Sequence, residues 1–111
     1  MGVATGTDYR LVEPCLERMG LRDYFEFVIT TKAGAGKDKP DIYLEALEKL
    51  GGTTPAEAVV YEDNPRCITT AFAAGFTVCG FFDPVMAPHI LYARQNSHHF
   101  LNSWQDWRPD F

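Results

Sequence analysis

Basic residues are scarce in this sequence, and no stretch of it is rich in them. The 111 residues include 10 Lys or Arg against 15 Asp or Glu, which gives a formal net charge of -5. Since a nucleic-acid interface needs clustered positive charge to oppose the phosphate backbone, nucleic-acid binding is not expected. No apolar run reaches the roughly 20 residues that span a bilayer, and no basic-then-apolar leader opens the chain. We therefore expect neither a membrane-spanning helix nor a secretory signal.

Cysteine is also rare, and its arrangement does not suit a disulfide framework. Cys15, Cys67 and Cys79 are odd in number, widely spaced and outside any CxxC pair. This pattern indicates reduced thiols and favours a cytoplasmic protein. Apolar residues make up 46% and charged residues 23% of the chain, which are ordinary proportions for a globular protein. We expect a single domain over residues 1–111.

Strand-like and helix-like segments alternate along the chain. The predicted strands cover residues 2–5, 25–31, 58–62 and 76–82, the third of them buried. The predicted helices cover residues 9–19, 41–50 and 64–75, with short helical segments at 54–57 and 88–94. Alternation of this kind is typical of an α/β domain with a parallel sheet.

Several helix ends carry clear signals. Asn64 followed by Pro65 is a capping residue with proline at the first helical position, which predicts a helix start. Thr54 and Glu57 have the spacing of a capping box. Gly20, like the glycine at position 75, suits a left-handed helix stop. Pro14 is expected to kink or delay the first helix because it lacks an amide donor.

Polar residues follow the predicted strands at one edge of the sheet. Thr5 ends the first strand, a loop with Lys37 follows the second, and Glu62 and Asp63 end the third. Ligands of open α/β sheets bind beyond the carboxyl ends of the strands. A hydroxyl and an ammonium suit phosphate oxygens, and adjacent carboxylates suit a hard cation such as Mg²⁺. The pattern predicts a magnesium-dependent phosphoryl-transfer site.

Three segments resemble motifs of a known family. "VATGT", "GKDKPDIYLEAL" and "AVVYEDNPRCITTAFAAGFTV" are similar to the second, third and fourth motifs of the haloacid-dehalogenase-like superfamily, in its capped phosphatase and β-phosphoglucomutase-like group. The resemblance covers about residues 2–82 and leaves a tail at 83–111. It implies a Rossmann-like three-layer sandwich with a mainly parallel sheet. It also implies a Mg²⁺-dependent phosphatase or sugar-phosphate mutase that acts on a phosphorylated small molecule.

The resemblance assigns roles to individual residues. It implies that Thr5 and Gly6 bind the phosphoryl group and that Lys37 neutralises the charge of nucleophile and phosphate. It implies that Asp63 holds Mg²⁺ and that Glu62 supports it, directly or through water. At position 38 an aspartate stands where the family has proline, so the lysine at 39 is a second, weaker candidate. Asn64 replaces the family's usual Ser or Thr.

The family's first motif, DxDx[TV], has no counterpart in these 111 residues. That motif supplies the aspartate nucleophile, and without it covalent catalysis is not expected from this chain alone. We expect the carboxy-terminal part of a core domain, without the nucleophile-bearing strand and the helical cap. Two strand edges would then lack partners, which favours self-association or marginal stability.

Each assigned role has a structural alternative. Thr5 could be a turn residue, Lys37 a surface lysine, and Glu62–Asp63 a solvated turn. A noncatalytic α/β binding or assembly domain on the same scaffold is the second functional hypothesis, which the coding sequence upstream would test. His98 and His99 are adjacent, so in an extended segment their side chains face opposite sides and a shared metal is not expected. Trp104 and Trp107 in the tail are expected to pack onto the core.

Overall fold

The computed structural model describes residues 1–7, 9–30 and 39–109. These residues form two compact units, Met1–Thr53 and Thr54–Phe111, and each is described by itself. Both units are built from parallel strands and helices, so the α/β prediction is confirmed. No helix in the described ranges has both the length and the apolar character needed to cross a membrane. The expected single domain over residues 1–111, with its separate tail, remains a prediction.

The first unit is a two-stranded parallel sheet with two helices. Strands β1 (Val3–Thr5) and β2 (Val28–Thr30) pair with Val3 opposite Val28. Helix α1 covers Tyr9–Arg18, and helix α2 covers Asp41–Lys49. A 3-10 turn at Arg22–Tyr24 leads from α1 toward β2. The core of this unit consists of β2 and one face of α2: Val28, Ile42, Tyr43 and Leu47 are buried.

Pro14 does not have the predicted effect on helix α1, whereas the predicted stop at Gly20 is present. The helix passes through Pro14 and continues to Arg18, so the proline neither delays nor ends it. Gly20 has φ +70°, the left-handed conformation that favours glycine at a helix stop. Leu11 and Met19 are 67% and 61% exposed, and no residue of α1 is buried, although the helix contacts β2.

The second unit contains a three-stranded parallel sheet. Strands β3 (Val59–Glu62), β4 (Thr77–Phe81) and β5 (His99–Leu101) lie in the order β3-β4-β5. Helix α3 (Pro65–Ala73) connects β3 to β4, and helix α4 (Ile90–Gln95) precedes β5. Short 3-10 turns cover Pro55–Glu57, Pro84–His89 and Trp104–Asp106. The core residues are Ile68, Ala71, Phe76, Val78, Cys79, Ala93 and Leu101.

The prediction that the strand at 58–62 is buried was wrong for this chain. Val59 is 38% and Tyr61 is 41% exposed. Val59 and Tyr61 lie on one face of β3, whereas Val60 and Glu62, on the other face, are half-buried. The physical reason is that one face of this outer strand is left largely uncovered by the described residues. A continuous apolar run without polar alternation predicts a strand that is covered on both faces. The burial of such a strand nevertheless depends on which other elements pack against it.

Other boundaries also needed correction. The strand predicted over residues 25–31 is limited to Val28–Thr30, with residue 31 outside the described part. Strand β5 was not predicted as a strand. The helix expected at 88–94 begins at Ile90, after a 3-10 turn. The expected capping box at 54–57 does not form. The Thr54 hydroxyl donates to Glu57 Oε1 at 3.0 Å and makes no hydrogen bond to the backbone of the helical turn.

The aromatic tail packs on the ends of β3 and β4, as expected. The ring of Trp104 stacks on Phe81 with centroids 4.6 Å apart. The indole Nε1 of Trp107 donates to the Tyr61 hydroxyl at 2.9 Å. Both tryptophans stay partly exposed, at 57% and 42%, so the tail covers the sheet incompletely.

Candidate functional site

The acidic pair lies where β3 ends and α3 begins. Glu62 is the last residue of β3, and Asp63 follows it directly. The Asn64 side chain accepts a hydrogen bond from the Arg66 amide at 3.0 Å, and Pro65 occupies the first helical position. The predicted cap is therefore confirmed. It fixes the direction in which the chain leaves the strand, and with it the backbone position of both acids.

The two neighbouring carboxyl groups interact with each other. The Asp63 amide donates to Glu62 Oε1 at 3.2 Å, so the glutamate side chain folds back toward the helix start. The pKa of Asp63 is raised above its ordinary value, first by burial and then by a hydrogen bond and the charge of Glu62. The charge of Asp83 adds a smaller increase, and a backbone hydrogen bond opposes the shift. An ionised Asp63 is thus destabilised unless a cation compensates it.

Asp83 is a site residue that the sequence analysis missed. It follows β4, and its Oδ1 accepts a hydrogen bond from the Val85 amide at 3.0 Å. Asp83 and Asp63 line one small pocket whose other walls are mostly apolar: Pro65, Phe81, Phe82, Met86, Ile90, Ala93 and Phe100. The signal was present in the sequence, because Asp83–Pro84 after a strand repeats the cap-and-proline pattern of Asn64–Pro65.

The donor set at this edge is all oxygen, which suits a hard divalent cation. Within the described ranges, no group of three or more His, Cys, Asp or Glu side chains is arranged to hold a metal ion. Mg²⁺ typically takes only one or two protein carboxylates and keeps several waters. The Asp63 and Glu62 carboxylates therefore fit magnesium by number and by chemistry.

Thr5 belongs to the first unit, where it ends β1. Its Oγ1 accepts a hydrogen bond from the Thr7 amide at 3.1 Å, which folds the following turn. A Cβ on Gly6 would meet no atom within 4 Å, so sterics within the described residues do not require glycine there. Both residues keep their assigned roles as predictions.

The lysine assignment is untested by the structure. Lys37 lies outside the described residues, as does Asp38, whereas Lys39 lies within them. The phosphate-binding role of Lys37 and the choice between it and Lys39 therefore stay predictions.

Comparison with known proteins gives the family. Residues 1–75 match the family model described as haloacid dehalogenase-like hydrolase. This chain belongs to that family. The match begins with the first predicted strand and ends at the close of α3, and so includes all the residues with predicted roles in the site, although the resemblance was expected to extend to residue 82.

Two curated relatives show what this chain is similar to. The fructose-1-phosphate phosphatase YqaB of Escherichia coli (strain K12) is 36% identical over 76 residues, which is 68% of this chain and 40% of YqaB. The phosphorylated carbohydrates phosphatase of Thermotoga maritima is also 36% identical over 76 residues, 68% of this chain and 35% of that protein. The chain thus spans well under half the length of these relatives.

A solved structure extends the likeness to the fold. The haloacid dehalogenase family hydrolase of Deinococcus radiodurans R1, solved with bound phosphate and sodium, has 25% identity and a TM-score of 0.76. The match covers 92% of this chain and 47% of that one. The predicted Rossmann-like α/β fold class is therefore confirmed.

Proposed function

We propose that this chain is part of a magnesium-dependent phosphoryl-transfer hydrolase that removes phosphate from a phosphorylated small molecule, with sugar phosphates as the substrate class. The observation that carries the proposal is the carboxyl group of Asp63, held at the end of β3 beside Glu62 with its pKa raised. Functional acids with perturbed pKa values cluster at sites of this kind. The names of two relatives, a fructose-1-phosphate phosphatase and a phosphorylated carbohydrates phosphatase, support the substrate class.

The proposed roles follow the chemistry of each group. Asp63 and Glu62 hold Mg²⁺, which when bound neutralises negative charge on the phosphoryl group. Thr5 and Gly6 bind phosphate oxygens by hydrogen bonds, and Lys37 supplies a positive charge to the same group. The hydrogen bonds and the positive charge of Lys37 would stabilise the phosphoryl group most strongly in the transition state, when its negative charge is greatest.

Turnover also requires a nucleophile. These 111 residues contain no DxD sequence, so we propose that the aspartate nucleophile comes from outside them and that this chain alone is inactive. The proposal is tested by expressing the complete coding region and the 111-residue chain side by side. Phosphate release from fructose 1-phosphate and other hexose phosphates is then measured with and without Mg²⁺. We expect activity from the complete protein with Mg²⁺ only.

The metal assignment has its own matched pair. In the complete protein, Asp63→Asn should reduce activity far more than Glu62→Gln, and the difference should be largest at limiting Mg²⁺. Equal activity of the Asp63 variant and the wild type at limiting Mg²⁺ would contradict the assignment. Absence of a DxD motif upstream in the same frame would instead favour a noncatalytic binding domain.

The lysine assignment is tested in the same assay. Lys37→Ala should lower turnover by orders of magnitude, because a charge that compensates the phosphoryl group is lost. Lys39→Ala should have a mild effect and serves as the control. The reverse result would move the role to Lys39. Analysis of products from a hexose 1-phosphate separates phosphate release from transfer to another carbon, and so a phosphatase from a mutase.

We also propose that the isolated chain self-associates. The outer side of β3 carries no paired strand among the described residues, and its Val59 and Tyr61 side chains are exposed. Unpaired strand edges beside apolar side chains favour pairing with another backbone. Sedimentation should show oligomers, and an upstream segment added in trans should raise the melting temperature. A monomer with cooperative unfolding at high temperature, unaffected by that segment, contradicts the proposal.

The proposed location is the cytoplasm. Cys15, Cys67 and Cys79 form no disulfide in the structure, and Cys79 is buried. Cysteines in odd number and without disulfides suit a reducing compartment. Fractionation of cells that express a tagged complete protein tests this location.

A further inference from the structure

Three aromatic rings lie together near the carboxyl ends of β3 and β4. The ring of Trp104 stacks on Phe81 with an interplanar angle of 25° and with ring centroids 4.6 Å apart. The same indole lies 5.9 Å from the ring of Tyr61, at 39°. We call Tyr61, Phe81 and Trp104 the aromatic platform. Trp104 is 57% and Tyr61 is 41% exposed, so much of the platform is open to solvent among the described residues.

Hydrogen bonds fix the platform in place. Ser103 and Asp106 form both bonds of a capping box around the 3-10 turn that begins at Trp104. The indole Nε1 of Trp107 donates to the Tyr61 hydroxyl at 2.9 Å. Because an indole N–H can only donate, the Tyr61 hydroxyl accepts this bond, and its own proton can be donated to a ligand. Rings that are fixed before a ligand arrives lose little freedom when it binds.

Phe81 connects the platform to the acidic edge of the second unit. It lines the small pocket that contains Asp63 and Asp83, and it also stacks on Trp104. Tyr61 and Phe81 each precede one of these two acids by two residues. A small molecule bound at the acidic edge therefore has the platform beside it.

We propose that the aromatic platform binds the sugar ring of the substrate, while the phosphoryl group of the same molecule lies at the acidic edge. This inference rests on the proposed function, for which it names a subsite. A hexose ring presents C–H groups on its faces, and these pack on the electron-rich face of an indole. Its hydroxyl groups stay free for hydrogen bonds, one of which the Tyr61 hydroxyl can donate. Sites for small molecules combine aromatic walls with a few polar groups in this way.

The experiment compares two substrates of the complete protein. Fructose 1-phosphate and acetyl phosphate share a phosphoryl group, but only fructose 1-phosphate has a sugar ring. Trp104→Ala should raise KM for fructose 1-phosphate by about 3- to 10-fold and leave KM for acetyl phosphate unchanged. Trp104→Phe should recover most of the loss, because a flat ring remains. Tyr92→Ala removes an aromatic side chain that is 50% exposed and outside the platform, so it should change neither KM.

Saturation-transfer NMR gives a second measurement, which does not require turnover. Irradiation of the protein's aromatic protons should transfer saturation to the ring protons of fructose 1-phosphate, and Trp104→Ala should remove most of this transfer. If the complete protein hydrolyses neither substrate, the proposed function fails, and the NMR result alone decides whether the platform binds the sugar.

Three results would overturn the inference. The first is a KM for fructose 1-phosphate that Trp104→Ala leaves unchanged or raises equally with that for acetyl phosphate. The second is equal saturation transfer in the wild type and Trp104→Ala. The third is a change from oligomer to monomer in Trp104→Ala with sugar binding unaltered, since the platform would then be an interface between copies of the chain.

Discussion

Replacement of Asn64 by alanine would test how the chain positions the acidic pair. The Asn64 side chain accepts the Arg66 amide at 3.0 Å from an extended conformation, φ -84° and ψ 122°. Pro65 has no amide to satisfy, so Asn64 serves the first amide of α3 that needs an acceptor. Alanine removes this acceptor and leaves the backbone otherwise unchanged.

The expected loss follows from the cap and from what the helix contacts. Removal of an N-cap side chain typically costs about 1 kcal/mol, within a range of roughly 0.5–2. Helix α3 places Ile68 and Ala71, both 0% exposed, in the core, so fraying of its first turn affects packing as well as the helix. For a domain of about 60–100 residues, 1 kcal/mol corresponds to a change of about 4–8 °C in melting temperature. We expect Asn64→Ala to lower the melting temperature by this amount.

Thr54 gives a sharp control because it has the same sequence signal without the same bond. Its hydroxyl donates to the Glu57 carboxylate at 3.0 Å and makes no capping bond to the backbone. Thr54→Ala should therefore cost less than about 0.5 kcal/mol, as most exposed substitutions do. Asn64→Ser should recover most of the loss. Urea and thermal unfolding measure all three variants; equal losses for Thr54→Ala and Asn64→Ala would refute the reasoning.

Three further results are expected. Without Mg²⁺, Asp63→Asn should be more stable than the wild type at neutral pH. Because the pKa of Asp63 is raised in the folded state, protonation of Asp63 stabilises the wild type below pH 3.8, the ordinary pKa, and this stability is lost as pH rises through the higher pKa of the folded state. Urea midpoints from pH 3 to 8 should show that the stability difference between variant and wild type becomes smaller in acid. Ile68→Ala should cost about 2–5 kcal/mol in urea denaturation, since Ile68 is fully buried. Iodoacetamide should modify the exposed Cys15 well before Cys79, whose thiol is buried and has its pKa raised by burial, and mass spectrometry of peptides measures the order.

Local signals in the sequence predicted the helix ends well. The Asn64–Pro65 start and the stops at Gly20 and Gly75 depend on residues within one turn of each other, and the structure confirms them with φ +70° and +96° at the two glycines. The alternation of strands and helices was also readable, since it depends on periodicity over short windows. These features are determined by the chain's own neighbours in sequence.

Features set by distant contacts could not be read in the same way. The exposure of Tyr61 depends on how much of one face of β3 the rest of the chain covers, which no residue within β3 specifies. Strand β5 is only three residues long, His99–Leu101, and its extended form depends on pairing with β4. Thr54 is a different case: its hydroxyl donates to the side chain of Glu57, three residues away, and the sequence spacing is the same for this bond as for a cap. The first two outcomes were decided by contacts with distant parts of the chain.

The acidic edge of the second unit combines both kinds of information. Sequence placed Glu62 and Asp63 at a strand end, and the structure adds Asp83 from the next strand, in one pocket with Asp63. All three groups are anionic when ionised, and the two neighbours raise the pKa of Asp63 in addition to burial. If these acids only formed a turn, the folded chain would be more stable with their carboxylates apart and in water. Because they lie close together, the folded chain is less stable at neutral pH, and the same negative charge favours the binding of a cation. A divalent ion that binds there must compete with the proton on Asp63, so its affinity should increase as pH rises through that pKa. Calorimetric titration of the complete protein with Mg²⁺ in steps from pH 8 down to pH 4 should show weaker binding as Asp63 becomes protonated. Asp63→Asn should remove most of this pH dependence, whereas a variant that keeps the wild-type pH dependence would show that Asp63 is not a ligand.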